Sequence, residues 1–402
     1  MQASAPRPAI ADRTPWSVFL VFLRLGLTSF GGPIAHIGYF RDEFVVRRRW
    51  LSERGYADLV ALCQFLPGPS SSQIGIALGL TRAGYGGALA AWLGFTLPSA
   101  IALILFANVL LHQGNLAPGV LQGLKIVAVA VVAQAIWGMA RSLCPDRPRV
   151  TIMAVAAVAV LLLASIWSQL LVLVVAGLLG IVLLKPSAGL ERDIFRVPVS
   201  RRSGVLALAL FLALLIGLPL LAALMPSQLL ALVDSFYRVG SLVFGGGHVV
   251  LPLLQAETVD VGLVDVDLFL AGYGATQAVP GPLFTFAAFL GAAMDTALPG
   301  WLNGLLCLAL IFLPSFLLVI GILPFWDQLR HNLRMQAALA GVNAAVVGLL
   351  LAALYQPMWT TAIRGPGDFA LALAALVALV FWKLPPWLVV VATAGIGWAL
   401  AG

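Results

Sequence analysis

The sequence predicts an all-α polytopic membrane protein made of two inverted-topology repeats. Three observations predict it: 61% of the 402 residues are hydrophobic and only 10% are charged, apolar runs are long, and several sequence blocks occur twice. A soluble domain carries about 25% charged residues, so this chain cannot cover a water-facing surface. Many apolar runs reach the length of about 20 residues that a helix needs to cross a bilayer.

The repeated blocks divide the chain. They recur in the same order and at nearly the same spacing: 24–32 and 238–246, 64–69 and 277–282, 97–99 and 313–315, and, more weakly, 123–125 and 341–343. We therefore expect a polar tail (1–15), a first repeat (16–185), a basic loop with a linker transmembrane helix (186–227), and a second repeat (228–402).

Loop charges indicate that the two repeats are inverted. The loop between the first two blocks carries Arg41, Arg47, Arg48, Arg49 and Arg54 in the first repeat, but Glu257, Asp260, Asp265 and Asp267 in the second. The bias reverses farther on, where only the second repeat has a basic loop, with Arg330, His331 and Arg334. Because positive loops stay in the cytoplasm, the repeats are predicted to face opposite ways, with the N-terminus cytoplasmic.

Each repeat is predicted to begin with two helical hairpins broken at Gly or Pro, followed by full spans. The Pro-Gly-Pro breaks contain Gly68 and Gly281. Proline removes a backbone donor and starts a helix well, so each break predicts a half-helix with free N–H groups, and such ends bind anions. The alternative is a structural kink. Whether the hairpins re-enter or cross stays open.

The two half-helices differ in the polar groups that follow them. The first is followed by Ser70, Ser71, Ser72 and Gln73, whereas the second is followed mainly by Leu and Phe, with Thr285 as its nearby hydroxyl. We therefore expect the first half-helix to supply the main contacts to an anion. The second is expected to shape or gate the pathway.

Other polar residues near the breaks are candidates for anion binding. Buried arginine is costly in a membrane and suits an oxyanion, which favours Arg24 and Arg238; Asp234 is an alternative partner for Arg238. Glycine pairs form either an anion-binding nest or close helix contacts. Glutamines either bind the anion or cap the broken backbone. These further candidates are Gly31, Gly32, Gly245, Gly246, Gln64 and Gln277.

Three more residues are candidates for moving protons or setting the potential. His36 and His248 follow the glycine breaks, and each is either a proton carrier or a hydrogen-bonded structural residue. Lys125 lies within an apolar span, where it either adds positive potential or pairs with a helix C-terminus. Enzyme motifs are missing from suitable contexts, so we expect no catalysis, no cofactor or metal, and no nucleic-acid partner.

Four segments resemble the chromate ion transporter family in its long, two-domain form: FGGPIAHI at 30–37, QFLPGPS at 64–70, FGG at 244–246 and QAVPGP at 277–282. The resemblance covers about residues 15–400. It implies chromate efflux and chromate resistance, with sulfate, another tetrahedral dianion, as competitor or exchanged ion. It places the chain in a bacterial-type inner membrane.

The expected function is therefore secondary transport of a small tetrahedral oxyanion through a midplane site between the repeats. An oxyanion channel, a sulfate transporter and a membrane assembly protein are the alternatives. The lipid bilayer is the expected surrounding, and a homodimer is compatible with the sequence.

The inverted arrangement predicts the sidedness of three loops. Cysteine labelling in intact cells and in inside-out vesicles should place 47–54 and 330–334 in the cytoplasm and 257–267 outside. Finding 47–54 and 257–267 on the same side would contradict inversion.

Overall fold

The computed structural model confirms an all-α membrane protein. It describes residues 13–113, 118–163, 166–184, 199–225, 227–244, 247–329 and 332–401, and these contain helices and no strand. Five helical segments among them are long and apolar enough to cross a bilayer: Ser70–Leu111, Pro118–Leu143, Arg201–Leu224, Gly300–Leu329 and Leu333–Ala362.

The first half of the chain forms seven helices among its described residues. They are α1 Pro15–Thr28, α2 Gly32–Arg41, α3 Glu53–Phe65, α4 Ser70–Gln113, α5 Pro118–Leu143, α6 Arg147–Leu162 and α7 Ile166–Leu183. A π-helical segment, Asp42–Arg47, continues α2. Helix α4 changes direction at Ala83 and Gly84, whose backbone angles are not helical. Breaks therefore lie at both predicted positions, before Pro33 and at 67–69.

The linker helix α8, Arg201–Leu224, separates the halves. The second half begins with α9 Gln228–Leu242, α10 Val250–Thr258, α11 Val266–Thr276, α12 Phe286–Ala293 and α13 Gly300–Ile322. It ends with α14 Trp326–Leu329, α15 Leu333–Ala353, α16 Thr360–Ala362, α17 Pro366–Val380 and α18 Pro386–Ala401. Short 3₁₀ turns precede α10, α12 and α14, and a π-helical segment, Leu354–Trp359, follows α15. Apart from short additions, helices succeed one another in the same order as in the first half.

Helix starts fall into two kinds. Many helices have a polar side chain that caps the first turn by accepting from a backbone N–H: Thr14, Ser52, Asp146, Ser200, Asp265 and Asn332. The starts of α2 and α12, which follow breaks, have no side-chain cap. At α12 the preceding 3₁₀ turn supplies a partner, because the N–H of Phe286 donates to the Leu283 carbonyl. The first N–H groups of α2 need other partners.

The last two long helices of each half pack on the other half. Helices α17 and α18 lie against α5, whereas α6 and α7 lie against α15. The contacts are close enough to require glycine: a Cβ on Gly123 of α5 would overlap the Thr393 carbonyl of α18, and a Cβ on Gly341 of α15 would overlap the Ala176 carbonyl of α7. Small residues therefore allow the last helices of each half to pack closely on the other half.

The linker helix α8 packs on α9 and α13 with one face. Its other face exposes apolar side chains, including Leu206, Leu210 and Ile216. Lipid is the solvent that such a face requires. Arg201 and Arg202 are exposed at its first turn. The rest of the basic loop, with Lys185, Arg192 and Arg196, lies outside the described residues, as do Arg330 and His331.

The glycine contact between α15 and α7 predicts a steric effect on stability. Gly341→Val should lower the melting temperature of the purified protein in detergent, because overpacking costs about 1–3 kcal/mol. Gly395→Val in α18 is the matched control, since a Cβ at Gly395 meets nothing within 4 Å. Equal melting temperatures for both variants would contradict the close contact.

Candidate functional site

The two Pro-Gly-Pro breaks lie where the halves meet. Gly68 has φ +118° and Gly281 has φ +95°, a region that only glycine adopts without strain. The N–H of Gly68 donates to the Val243 carbonyl at 2.6 Å, and the N–H of Gly281 donates to the Ser29 carbonyl at 2.9 Å. Each break is thus tied to the end of the first helix in the other half. These two N–H groups are occupied and are not free donors.

A serine from the opposite half lies beside each break. Ser99 of α4 donates its hydroxyl to the Pro280 carbonyl. Ser315 of α13 is fully buried, and its Oγ would lie 2.7 Å from a Cβ on Gly68, yet it has no hydrogen-bond partner among the described residues. The first break therefore has an available hydroxyl where the second has an occupied one.

The first turn of α4 gathers further polar groups. Ser70, Ser71, Ser72 and Gln73 are all buried. Gln73 donates to the Pro67 carbonyl at 2.6 Å, while Ser72 Oγ and Gln73 Oε1 have no partner among the described residues. The N–H of Gln73 bonds to the Pro69 carbonyl, so the N–H groups before it have no partner within the helix. This combination of hydroxyls and a positive helix end suits an anion.

His36 connects three parts of the first half. Its Nε2 lies 3.2 Å from the Ser29 carbonyl, and its Nδ1 lies 3.4 Å from Ser71 Oγ. His248 lies in the second half, with Nδ1 2.8 Å from the Tyr273 hydroxyl. Its Nε2 would lie 3.7 Å from a Cβ on Gly32. Both rings are hydrogen-bonded near the junction of the halves, and the proton role of each stays a prediction.

Gly31 and Gly32 form the break before α2, with φ of +101° and +77°. Gly32 is the residue that faces His248 and Leu283 of the second half. Their counterparts Gly245 and Gly246 lie outside the described residues.

The second Pro-Gly-Pro break has fewer available polar groups beside it than the first. Thr285 is fully buried, and its hydroxyl donates to the Pro282 carbonyl at 2.7 Å, which occupies its proton. Gln277 is buried with its Nε2 unpartnered among the described residues. Gln64, its counterpart, is exposed. One amide donor therefore remains available on this side.

The two arginines occupy different surroundings. Arg24 is exposed on α1, and no described side chain forms an ion pair with it. Arg238 donates to Asp234 at 2.8 Å and pairs with Glu257 at 2.8 Å. An anion at Arg238 would compete with two carboxylates. The binding role of each arginine stays a prediction.

Lys125 is buried in α5 and pairs with Asp267, with Nζ 2.9 Å from a carboxylate oxygen. Asp267 lies in the first turn of α11 and is also 3.9 Å from Arg364. Lys125 therefore pairs with a carboxylate from a distant segment of the chain and not with a helix C-terminus.

The structure brings together one subset of the predicted residues: Gly32, His36, Gly68, Ser71, Gln73, His248 and Gly281. Sequence reasoning missed Ser29 and Ser315. Both are buried hydroxyls without a partner in the described part of the chain. Ser315 had one available signal, its place in the repeated Leu-Pro-Ser block.

Two segments of the chain, residues 16–181 and 230–398, match the chromate transporter family. The chain belongs to this family. Both segments lie within the two predicted repeats. No solved structure matches the chain.

Curated relatives align over most of this chain. A chromate transport protein of Pseudomonas aeruginosa is 30% identical over 379 residues, which cover 91% of this chain and 87% of the relative. An uncharacterized transporter of Methanocaldococcus jannaschii is 28% identical over 342 residues, covering 84% and 82%. A chromate transport protein of Cupriavidus metallidurans is 26% identical over 395 residues, covering 94% and 91%.

The unequal breaks predict unequal effects of hydroxyl removal. Replacing Ser70, Ser71 and Ser72 together by Ala should raise the apparent KM for the transported anion or abolish transport, because each hydrogen bond to a charged group contributes roughly 1.5–3 kcal/mol. Thr285→Ala should have a much smaller effect, because its hydroxyl already donates to Pro282. Initial rates of anion uptake into vesicles measure both. Equal damage would indicate a symmetric site, and damage from Thr285→Ala alone would reverse the assignment.

Proposed function

We propose that this protein is a secondary transporter that exports a small tetrahedral oxyanion, chromate, across the cytoplasmic membrane. Two relatives aligned over more than nine tenths of this chain are named chromate transport proteins. Membership of the chromate transporter family supports an oxyanion substrate in a membrane.

One observation carries the proposed site: each Pro-Gly-Pro break donates a backbone hydrogen bond to the other half, near the first turn of α4. The bonds from Gly68 to Val243 and from Gly281 to Ser29 attach each break to the end of the first helix of the other half. Irregular backbone is tolerated in a membrane only inside protein or beside water, and transporters use such broken helices to bind ions. The hydrogen bonds from the breaks to the opposite halves therefore support a binding site between the halves.

The donors at this site suit a dianion that has shed water. We assign its main contacts to the hydroxyls and free N–H groups of residues 70–72, with Ser315 and Gln277 contributing from the second half. These groups add no formal charge, so the dianion is attracted without being held too tightly to leave. Arg24 adds an exposed positive charge on α1, which favours anion approach over cation approach.

Alternating access is proposed to come from two inverted repeats. The same order of helices in both halves supports duplication, and so do paired contacts: Gly123 meets α18 as Gly341 meets α7. The opposite charges of the corresponding loops support inversion. In transporters built from such repeats, one bundle of helices moves against another around a fixed site.

The direct test is the flux of labelled chromate into inside-out vesicles that contain the protein. Uptake should saturate, depend on an imposed pH gradient and be reduced by added sulfate, because both ions are tetrahedral dianions. Vesicles without the protein, and vesicles with the triple Ser→Ala variant, are the controls.

The other functions give different results in the same assay. A flux that does not saturate would indicate an oxyanion channel. Uptake of labelled sulfate without uptake of chromate would indicate a sulfate transporter. The absence of any protein-dependent flux would contradict transport and favour an assembly role.

A further inference from the structure

Three side chains of the second half form a buried ion cluster away from the Pro-Gly-Pro breaks. Arg238 of α9 contacts Asp234 of α9 and Glu257 of α10, each at 2.8 Å. Ser235 donates its hydroxyl to Glu257 at 2.7 Å. We use the name ion cluster for Asp234, Arg238 and Glu257.

The charges of the ion cluster do not balance. Both carboxylate side chains are 9% exposed and the arginine side chain is 20% exposed. With all three groups ionised, two negative charges face one positive charge. An unbalanced buried charge is expensive, so one bound proton would make the cluster neutral.

The ion cluster separates two cavities that lie one after the other along α7 and α15. The first cavity, about 720 Å³, is lined by Asp234 and Arg238 and is otherwise apolar. The second, about 560 Å³, contains Asp260. Along α15, Ala338 and Val342 line the first cavity, whereas Leu349, Ala352 and Ala353 line the second.

A narrow neck of about 10 Å³ lies between these cavities. Arg238 and Glu257 line it, together with Gln169 of α7, which also lines the second cavity. The Oε1 of Gln169 and the Nε of Arg238 are buried without a hydrogen-bond partner among the described residues. These two polar atoms can each take one more hydrogen bond, and their residues line the neck together with Glu257.

No other charged side chain of the packed helices faces the ion cluster. Helices α8, α10 and α13 pack on α9, and α7 and α15 line the cavities. In these helices the remaining charged residues are Arg201, Arg202 and Arg334, all exposed at helix starts. His248 lies before α10 and bonds to Tyr273. The nearest further acid, Asp260, is exposed in the second cavity.

The matching positions of the first half form a different arrangement. Leu20 stands at the place of Asp234, and Arg24 is exposed. Glu43 stands at the place of Glu257, but it pairs with Arg47 at 2.8 Å and Arg48 at 2.7 Å.

We propose that the ion cluster is a proton-binding site and that Glu257 carries the proton that drives anion transport. A proton arrives through one cavity and binds a carboxylate oxygen of Glu257. Arg238 then keeps Asp234 as a neutral pair within α9, and the charged link between α9 and α10 is lost. The proton leaves to the other cavity, and the link forms again. This inference rests on the proposed transport function.

The test is Glu257→Gln in the full chain, reconstituted in lipid vesicles. This variant keeps the size and hydrogen bonding of the side chain but cannot release a proton. We expect loss of chromate accumulation driven by a pH gradient, while exchange of labelled for unlabelled chromate without a gradient stays at the wild-type rate. Asp260→Asn removes an exposed carboxylate of the second cavity and should leave both measurements unchanged.

Other results would overturn the inference. Gradient-driven accumulation at the wild-type rate in Glu257→Gln would mean that Glu257 carries no coupling proton. Loss of exchange in a correctly folded Glu257→Gln protein would make the cluster structural or part of the anion path. If the wild-type protein moves no chromate at all, that result contradicts the proposed transport function, on which this inference rests.

A second variant keeps the test valid if Glu257→Gln does not fold. Ser235→Ala removes one hydrogen bond to the ionised carboxylate and keeps every charge. It should shift the pH at which gradient-driven uptake is half maximal, because the lost hydrogen bond stabilises the ionised carboxylate of Glu257 more than the protonated carboxyl. An unchanged pH profile would contradict proton binding at Glu257.

Discussion

A helix that breaks inside a membrane must find partners for its free backbone groups, because lipid offers none. In this protein the partners come from the other half of the chain. Gly68 donates to Val243, and Gly281 donates to Ser29. Each break therefore relies on the other half for one of its backbone hydrogen bonds, and these bonds hold the two halves in contact there.

The two breaks are alike in backbone and different in side chains. Ser99 is bound to the Pro280 carbonyl, whereas the hydroxyl of Ser315 is not engaged by any described residue. Beyond the second break, Phe284 and Phe286 are fully buried, while serines occupy the matching turn of α4. The first break therefore has more available hydroxyl groups beside it than the second.

The packing of the outer helices limits which parts can move together. Helices α6 and α7 lie on α15, and α17 and α18 lie on α5. The glycine contacts at Gly123 and Gly341 make these interfaces close. Each of these two packed units therefore joins helices from both halves. The ion cluster lies beside one such unit, where α7 and α15 line both of its cavities.

The sequence by itself determined the features that depend on composition and on residues close together in the chain. Composition predicted the all-α membrane fold, and Gly and Pro predicted the helix breaks, because backbone constraints act within a few residues. The partner of Lys125, the second carboxylate on Arg238 and the free hydroxyl of Ser315 were decided only by the tertiary structure. Asp267 and Glu257 lie far from their partners along the chain. Contacts of that kind depend on how helices pack, which no local pattern encodes.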